Sequence, residues 1–346
     1  MEMQSVVGGF VLNQLSSISP VPSTLKSLLE NSCARLFDAS MIIEDPLTEL
    51  APLRDASVQQ PLEQFEQTFV IDQIIDTVRD EGLDNHFHNM IGLFGSIMLS
   101  LTATDDQLAQ VNNWVEQGIF GHFLMTDPGG PSLMGWKTEL VETDSDMLLN
   151  VDKIHGIEAH KLGFAMVVTK QPGRPFPLTV MLPPELCNQL RQSTVGEPFL
   201  NGTLQLGNCK GKVSITKDML LSKGGLGSVN RFLTLVRPRF VKSLMHFVLW
   251  LHDCKEAHLT SEDQAHIEYL IHLCNEQVAA TTFSMHSVNR VLATKFTSNE
   301  LLLNLVLSGK IKSVNRQRDL LAFTKMEGSS YRCFFEIYSK FKGLRV

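Results

Sequence analysis

Eight of the chain's fourteen prolines fall between Pro128 and Pro198. Proline lacks a backbone N–H and blocks the interior of helices and central strands, so this stretch must be built from short elements with many turns. Its apolar runs, FAMVVTK, PLTVMLP and GKVSIT, are β-rich and are separated by Gly and Pro clusters at DPGGPS, QPGRPFP and GEPF. Such a pattern favours a barrel or sandwich. On either side the period changes to that of a helix. Before the β block, LKSLLENSCARLF, VIDQIIDTV and HNMIGLFGSIMLSL place apolar residues three and four apart, starting at Thr24. After it, LTLVRPRFVKSLMHFVLWLHDC, a helix from Ser261 to about Thr282 and one from Ser287 to Leu307 do the same. Ser23 is read as an N-cap, and Thr104-Asp105-Asp106 as a stronger one. The order helix, strand, helix without repeats excludes a solenoid and a doubly wound sheet.

Composition narrows the function classes. Hydrophobic residues make up 43% and charged residues 19% of 346, which suits a folded chain with two or three packed units. A net charge of -7 argues against nucleic acid as the main partner. The first residues, MEMQSVVGGFVLNQLSS, lack the basic start of a secretory signal, and Phe240 to Leu251 is interrupted by Lys242, Ser243 and His246. It also falls short of the roughly 20 residues of a membrane helix. A cytoplasmic protein without a membrane span is expected. The six cysteines show no CxxC spacing, which fits reduced thiols.

Three motifs then follow one another in an order that resembles the acyl-CoA dehydrogenase family. Thr126-Asp127-Pro128-Gly129-Gly130-Pro131-Ser132 is similar to the loop that opens the family's β domain, Lys137-Thr138 to the pair after it, and Asn150-Val151-Asp152-Lys153 to the end of the following hairpin. Arg318-Asp319 followed by Glu327-Gly328-Ser329-Ser330 resembles the family's stretch around the catalytic base, and Arg237-Pro238 resembles the opening of its first C-terminal helix. These matches span roughly the last two thirds of the chain, whereas the first hundred residues match only in being helical.

The resemblance implies an α+β fold with an N-terminal helical domain (1–118), a central β-barrel domain (119–222) and a C-terminal four-helix-bundle domain (223–346). It also implies a homodimer or homotetramer, alone or with a related subunit. The implied activity is flavin-dependent dehydrogenation at Cα–Cβ of an acyl thioester, acyl-CoA or acyl-carrier-protein bound, with FAD as cofactor and electrons passed to a separate acceptor. Glu327 is the implied base; the competing reading makes it a turn residue of a surface loop. The implied FAD-side residues are Phe123, Met125, Thr126, Pro131, Ser132, His155 and Ile157. Gly129-Gly130 would allow close backbone approach to the ring or acyl chain, or would merely punctuate a loop. His155 would flank the flavin or face solvent.

The departures matter too. Ile154-His155-Gly156-Ile157-Glu158 lacks the family's flavin-bonding Thr, Ala257 to Glu262 replaces the element that holds the FAD diphosphate and adenine, and Leu307-Ser308-Gly309-Lys310 replaces the segment that reaches a neighbouring subunit's cofactor. Val236 occupies the alternative base position and cannot serve. Two further hypotheses therefore stand beside the dehydrogenase: a homologue that has lost FAD and acts as an acyl-binding or assembly partner, and a flavin pocket turned to oxygen-dependent oxidation. Other chemistries lack support. His86-Phe87-His88 has no third ligand at helical spacing, and GxSxG, HExxH and phosphate-loop motifs are absent. Gly224-Gly225-Leu226-Gly227 reads as a linker, and Phe240, Leu244, Phe247 and Leu251 as a core stripe.

Overall fold

The structure, a computed structural model, describes residues 3–40, 59–130, 133–142, 147–174, 176–221, 223 and 225–339. In chain order the elements begin with α1 (Met3–Ser16), α2 (Ser23–Ser40), β1 (Gln60–Pro61), α3 (Glu66–Glu81), α4 (Phe87–Thr102) and α5 (Asp105–Glu116). Strands follow: β2 (Gly121–Leu124), β3 (Glu139–Glu142), β4 (Met147–Ile157), β5 (Phe164–Thr169), β6 (Leu178–Leu182), the short α6 (Pro184–Cys187), β7 (Arg191–Phe199), β8 (Leu204–Ile215) and β9 (Leu220–Leu221). The chain closes with α7 (Gly225–Asp253), α8 (Ser261–Val278), β10 (Thr282–Phe283), α9 (Met285–Leu307), α10 (Val314–Phe323) and α11 (Ser330–Ser339). This is the α+β order of helices, strands and helices expected from the pattern. None of the described helices is long and apolar enough to cross a membrane.

Two compact units result, Met1–Met90 with Asn230–Val346, and Ile91–Val229. In the first, the helical period begins earlier than Thr24: α1 lays Val7, Val11 and Leu15, all without exposure, along one stripe. Ser23 is itself the first residue of α2, after Pro22, and not its cap. The glycines read as a linker also differ, because Gly225 and Gly227 form the first turn of α7. Glycine costs a helix about 1 kcal/mol relative to alanine. Burial farther along offsets this, since Phe232, Leu235, Val236, Phe240, Leu244, Phe247 and Leu251 are all inside. As a consequence Arg237-Pro238 lies well within α7 and not at its opening. At the centre α9 is enclosed all round, every residue from Val291 to Leu302 being buried. Arg316 on α10 is also buried and gathers carboxylates: Asp84 bidentately at 2.7 and 2.8 Å, Glu256 at 3.0 Å and Asp319 at 3.5 Å.

The second unit holds two four-stranded sheets, ordered β2-β5-β6-β9 and β3-β4-β8-β7. β2 pairs in parallel with β5, and the remaining neighbours are antiparallel. Inward residues of both sheets share one core, including Leu124, Leu149, Val151, Val167, Val180, Leu182, Cys209 and Val213. Asn150 opposite Glu139 is the last pair of the β3–β4 hairpin, and β4 continues beyond it to a bulge between Lys153 and Gly156. Thr104 closes α5 with a complete capping box, its hydroxyl accepting from the Gln107 N–H while the Gln107 side chain accepts from the Thr104 N–H. Gln107 also donates to the carbonyl of Leu220, tying α5 to β9.

Candidate functional site

In the first unit the chain turns sharply between α10 and α11, and Glu327 sits in that turn with φ 54. Left-handed backbone is uncommon for a side chain other than glycine and persists only where surroundings hold it. Here they do. Arg237 Nε donates to the Glu327 carbonyl at 2.9 Å, Asn299 Nδ2 to the Gly328 carbonyl at 2.9 Å, and the Cys333 thiol to the same carbonyl at 3.6 Å. Gly328 follows at φ 111, and a Cβ there would come within 3.1 Å of Cys333 Sγ and 3.2 Å of Arg237 Nη2. The two glycine-like positions and three donors thus fix where the carboxyl of Glu327 goes.

That carboxyl makes no hydrogen bond and no ion pair with any described residue, although Arg237 and Lys295 both act on it through space. Burial raises its pKa above the usual carboxylate range, and the two cations oppose the rise. The result is a half-buried, unpartnered carboxyl with its pKa raised, a stronger base when ionised than an ordinary carboxylate. Arg318-Asp319, quoted with it in the sequence, lie on α10, where Asp319 is buried against Arg316. Val236 is fully buried.

In the second unit the loop after β2 is organised by Asp127, whose side chain has no exposure. Its Oδ1 accepts from the N–H groups of Gly129 at 2.9 Å and Lys137 at 2.8 Å, and its Oδ2 from Thr138 at 2.8 Å. Burial alone would raise its pKa, but these donors bring it below the usual range. Lys153 lies 3.6 Å from the carboxylate, donates to the Met125 carbonyl at 3.0 Å and stands 4.6 Å from the centre of the Trp136 ring. Burial pushes this lysine down to about 8 despite Asp127. The Lys137-Thr138 and Asn150 to Lys153 motifs therefore share one purpose, closing the loop on itself. Gly129 is required for that closure, since a Cβ would lie 1.8 Å from the Gly135 carbonyl oxygen. At Gly129, then, the close approach is to the chain's own backbone and not to a ligand; Gly130, with φ 84, faces open space.

Of the implied FAD-side residues, Phe123 and Met125 point outward from β2 and its continuation with 39% and 44% exposure. Thr126 is exposed, with its carbonyl accepting from Ile154 N–H at 3.1 Å and its hydroxyl unpartnered among the described residues. This bond brings the β4 bulge beside the loop. His155 sits in the bulge at φ 56, exposed, its N–H held by Asn208 at 3.1 Å, and Ile157 is half-buried with its carbonyl 3.2 Å from His122 Nδ1. Phe123, Met125, Thr126, His155 and Ile157 thus form one neighbourhood of apolar surface with a free hydroxyl, compatible with a planar ring. Pro131 and Ser132 lie outside the described residues.

The segments that replace the elements expected to hold the rest of FAD are paired with each other in the first unit. Ala257 forms a bridge with Ile311, and His258 N–H donates to the Lys310 carbonyl at 2.8 Å. Lys310 Nζ donates to both oxygens of Asp263 at 2.6 and 2.7 Å. Asp263 also completes the capping box of α8 with Thr260, and Glu262 adds a second carboxylate to that first turn. A helix N-terminus already capped and made acidic repels a diphosphate. These residues do not fit that part of the cofactor. Among the described residues there is also no cluster of metal-ligating side chains; His86 pairs with Glu81 at 2.9 Å.

Sequence reasoning missed Asp127, Lys153, Lys295 and Asn299 as holders of the two regions. Lys295 left a signal, a lone cation inside the apolar run from Val291 to Phe296. Lys153 left one as well, in that it sits between inward-facing Val151 and the bulge.

No protein-family model and no curated protein matches the chain. Solved structures do. A glutaryl-CoA dehydrogenase from Mycobacterium smegmatis in complex with FADH2 is similar over 99% of this chain and 95% of its own, with TM-score 0.59 at 11% identity. Butyryl-CoA dehydrogenase from Megasphaera elsdenii is similar over 97% of each chain, TM-score 0.59, 12% identity. A protein for biosynthesis of the methoxymalonyl extender unit of a polyketide immunosuppressant is similar over 90% of this chain and 97% of its own, TM-score 0.60, 12% identity.

Proposed function

We propose, on the premise that this chain has the acyl-CoA dehydrogenase fold, that it binds an acyl thioester and that Glu327 removes the proton at Cα in a flavin-dependent dehydrogenation of the Cα–Cβ bond. The observation that carries this reading is the Glu327 carboxyl itself, half-buried with its pKa raised, without a direct partner among the described residues and held by its backbone in a conformation that costs energy. A carboxylate with a raised pKa is matched to a weakly acidic C–H, and the nearby Arg237 and Lys295 keep an ionised fraction available. Bound FAD would supply the acceptor for the hydride leaving Cβ. Phe123, Met125, Thr126, His155 and Ile157 are the residues that would meet the isoalloxazine, with Pro131 and Ser132 in the same loop. The thioester is acyl-CoA or carrier-protein bound, and similarity to a structure serving extender-unit biosynthesis supports a biosynthetic substrate. We further propose a cytoplasmic homodimer or homotetramer, alone or with a related subunit, that passes electrons to a separate acceptor; six free thiols support the compartment.

A second reading has its own support. The closure of Lys310 on Asp263 and the acidic cap of α8 favour a homologue without FAD that serves as an acyl-binding or assembly partner. The visible spectrum of the purified protein, before and after incubation with FAD, separates the two. Bands near roughly 370 and 450 nm that bleach with an acyl thioester support the dehydrogenase. A colourless protein that takes up no FAD leaves the second reading. In a coloured protein, Glu327→Gln is expected to abolish bleaching while fold and colour persist; undiminished bleaching removes Glu327 as the base.

A further inference from the structure

α9 carries an ammonium where it is most enclosed. Lys295 has no exposure, and its Nζ donates to Asn299 Oδ1 at 2.7 Å, reaches the Phe323 carbonyl at 3.4 Å and lies 4.8 Å from the centre of the Phe240 ring. One helical turn on, the other end of the Asn299 amide donates to the Gly328 carbonyl. Lysine, amide and turn form a continuous relay that ends at the residue after Glu327. Lys295 forms no ion pair with any described residue, and an apolar side chain would normally serve such a position at least as well. A buried charge without a direct counter-ion calls for a reason beyond packing.

We infer that Lys295 is a positioning residue for Glu327, fixing through Asn299 the turn that presents the carboxyl and supplying the buried positive charge opposite it. This rests on the reading of Glu327 as the base. Three groups act on Lys295: Arg237 from α7, Glu327 from the turn and Cys333 from α11. Other charges on the packed helices are engaged elsewhere, Arg35 of α2 with Glu300, Arg316 with Asp319 on α10, and Arg332 with Glu336 on α11. Burial pushes Lys295 down to about 7, with Cys333 and Glu327 drawing it back up and Arg237 adding to the fall. Lysine and glutamate therefore titrate as a coupled pair, each proton on one changing the affinity of the other.

The test reads Glu327 directly, by infrared difference spectra of its carboxyl against Glu327→Gln over a pH series. Removing the cation in Lys295→Met should move the Glu327 midpoint up by about one pH unit, as for a unit charge about 10 Å away at an effective dielectric constant of about 20. Lys295→Arg should restore it. A folded Lys295→Met protein with an unmoved midpoint overturns the inference. Should that variant not fold, the wild type decides: a Glu327 titration in two steps, one of them near pH 7, upholds the coupling, and a single step overturns it. Bleaching by a thioester in the same samples judges the base separately, because a Glu327→Gln protein that still bleaches defeats the functional reading without touching the infrared result.

Discussion

Replacing Asp127 by Asn tests whether one buried carboxylate holds the loop after β2. The amide retains an oxygen where Oδ1 accepts from Gly129 and Lys137, but it turns an NH2 toward the Thr138 N–H that Oδ2 now accepts. Leaving that buried donor without an acceptor costs about 1–3 kcal/mol. Lys153 adds a second contribution. Burial depresses its ammonium from 10.5 to about 8, with Asp127 opposing the fall. Without the carboxylate the value drops further. A lysine depressed in the fold weakens the fold while charged, and that cost is relieved as pH rises from the folded value toward the unfolded one. At pH 7 the wild-type lysine is charged and partly compensated, whereas the variant must hold it neutral, a difference of about one pH unit or ~1.4 kcal/mol. The expected loss is thus about 2–4 kcal/mol at pH 7, by the sum of these contributions. At pH 9 both lysines are neutral and the gap should narrow to about 1–3 kcal/mol. Denaturant unfolding at the two pH values reads this, and Trp136, stacked on the ammonium, makes tryptophan fluorescence a local reporter. A loss under about 1 kcal/mol at pH 7, or a gap that does not narrow at pH 9, refutes the reasoning.

Gly129→Ala should destabilise by about 3 kcal/mol or more, because its Cβ meets backbone at Gly135, whereas Gly130→Ala should cost only about 1–2 kcal/mol for its positive φ; thermal unfolding of the two variants ranks them. Arg316→Met should lower stability by about 3–5 kcal/mol, since it removes the buried cation from Asp84, Glu256 and Asp319 at once, and chemical denaturation that shows less than about 1 kcal/mol would remove the cluster's structural importance.

The elements were legible where side chains repeat. The stripe Phe240, Leu244, Phe247 and Leu251 and the runs of β5 and β6 announce themselves because burial acts on every residue of a face. α1 carried the same signal in Val7, Val11 and Leu15, ahead of Thr24, where the helical period was expected to begin. What periodicity cannot show is a partnership between distant polar residues. Asp127 before Pro-Gly-Gly reads as a turn former, and nothing local says that its carboxylate gathers Lys137, Thr138 and Lys153. Glu327 presents the same difficulty. Its place after Arg318-Asp319 marked it by resemblance, yet the properties that make it a base come from α7 and α9, through Arg237 and Lys295. The misplacement of Arg237-Pro238 at a helix start hid this. An arginine in the first turn would have capped or faced solvent, while one deep in α7 is carried to the turn that Glu327 occupies, where it holds the carbonyl and offsets the charge at once. The same geometry explains why a proline is tolerated beside it. Pro238 removes one helical hydrogen bond, a cost of about 3 kcal/mol, but Val236, Phe240 and Val241 around it are fully buried, so packing retains a helix that propensity alone would end.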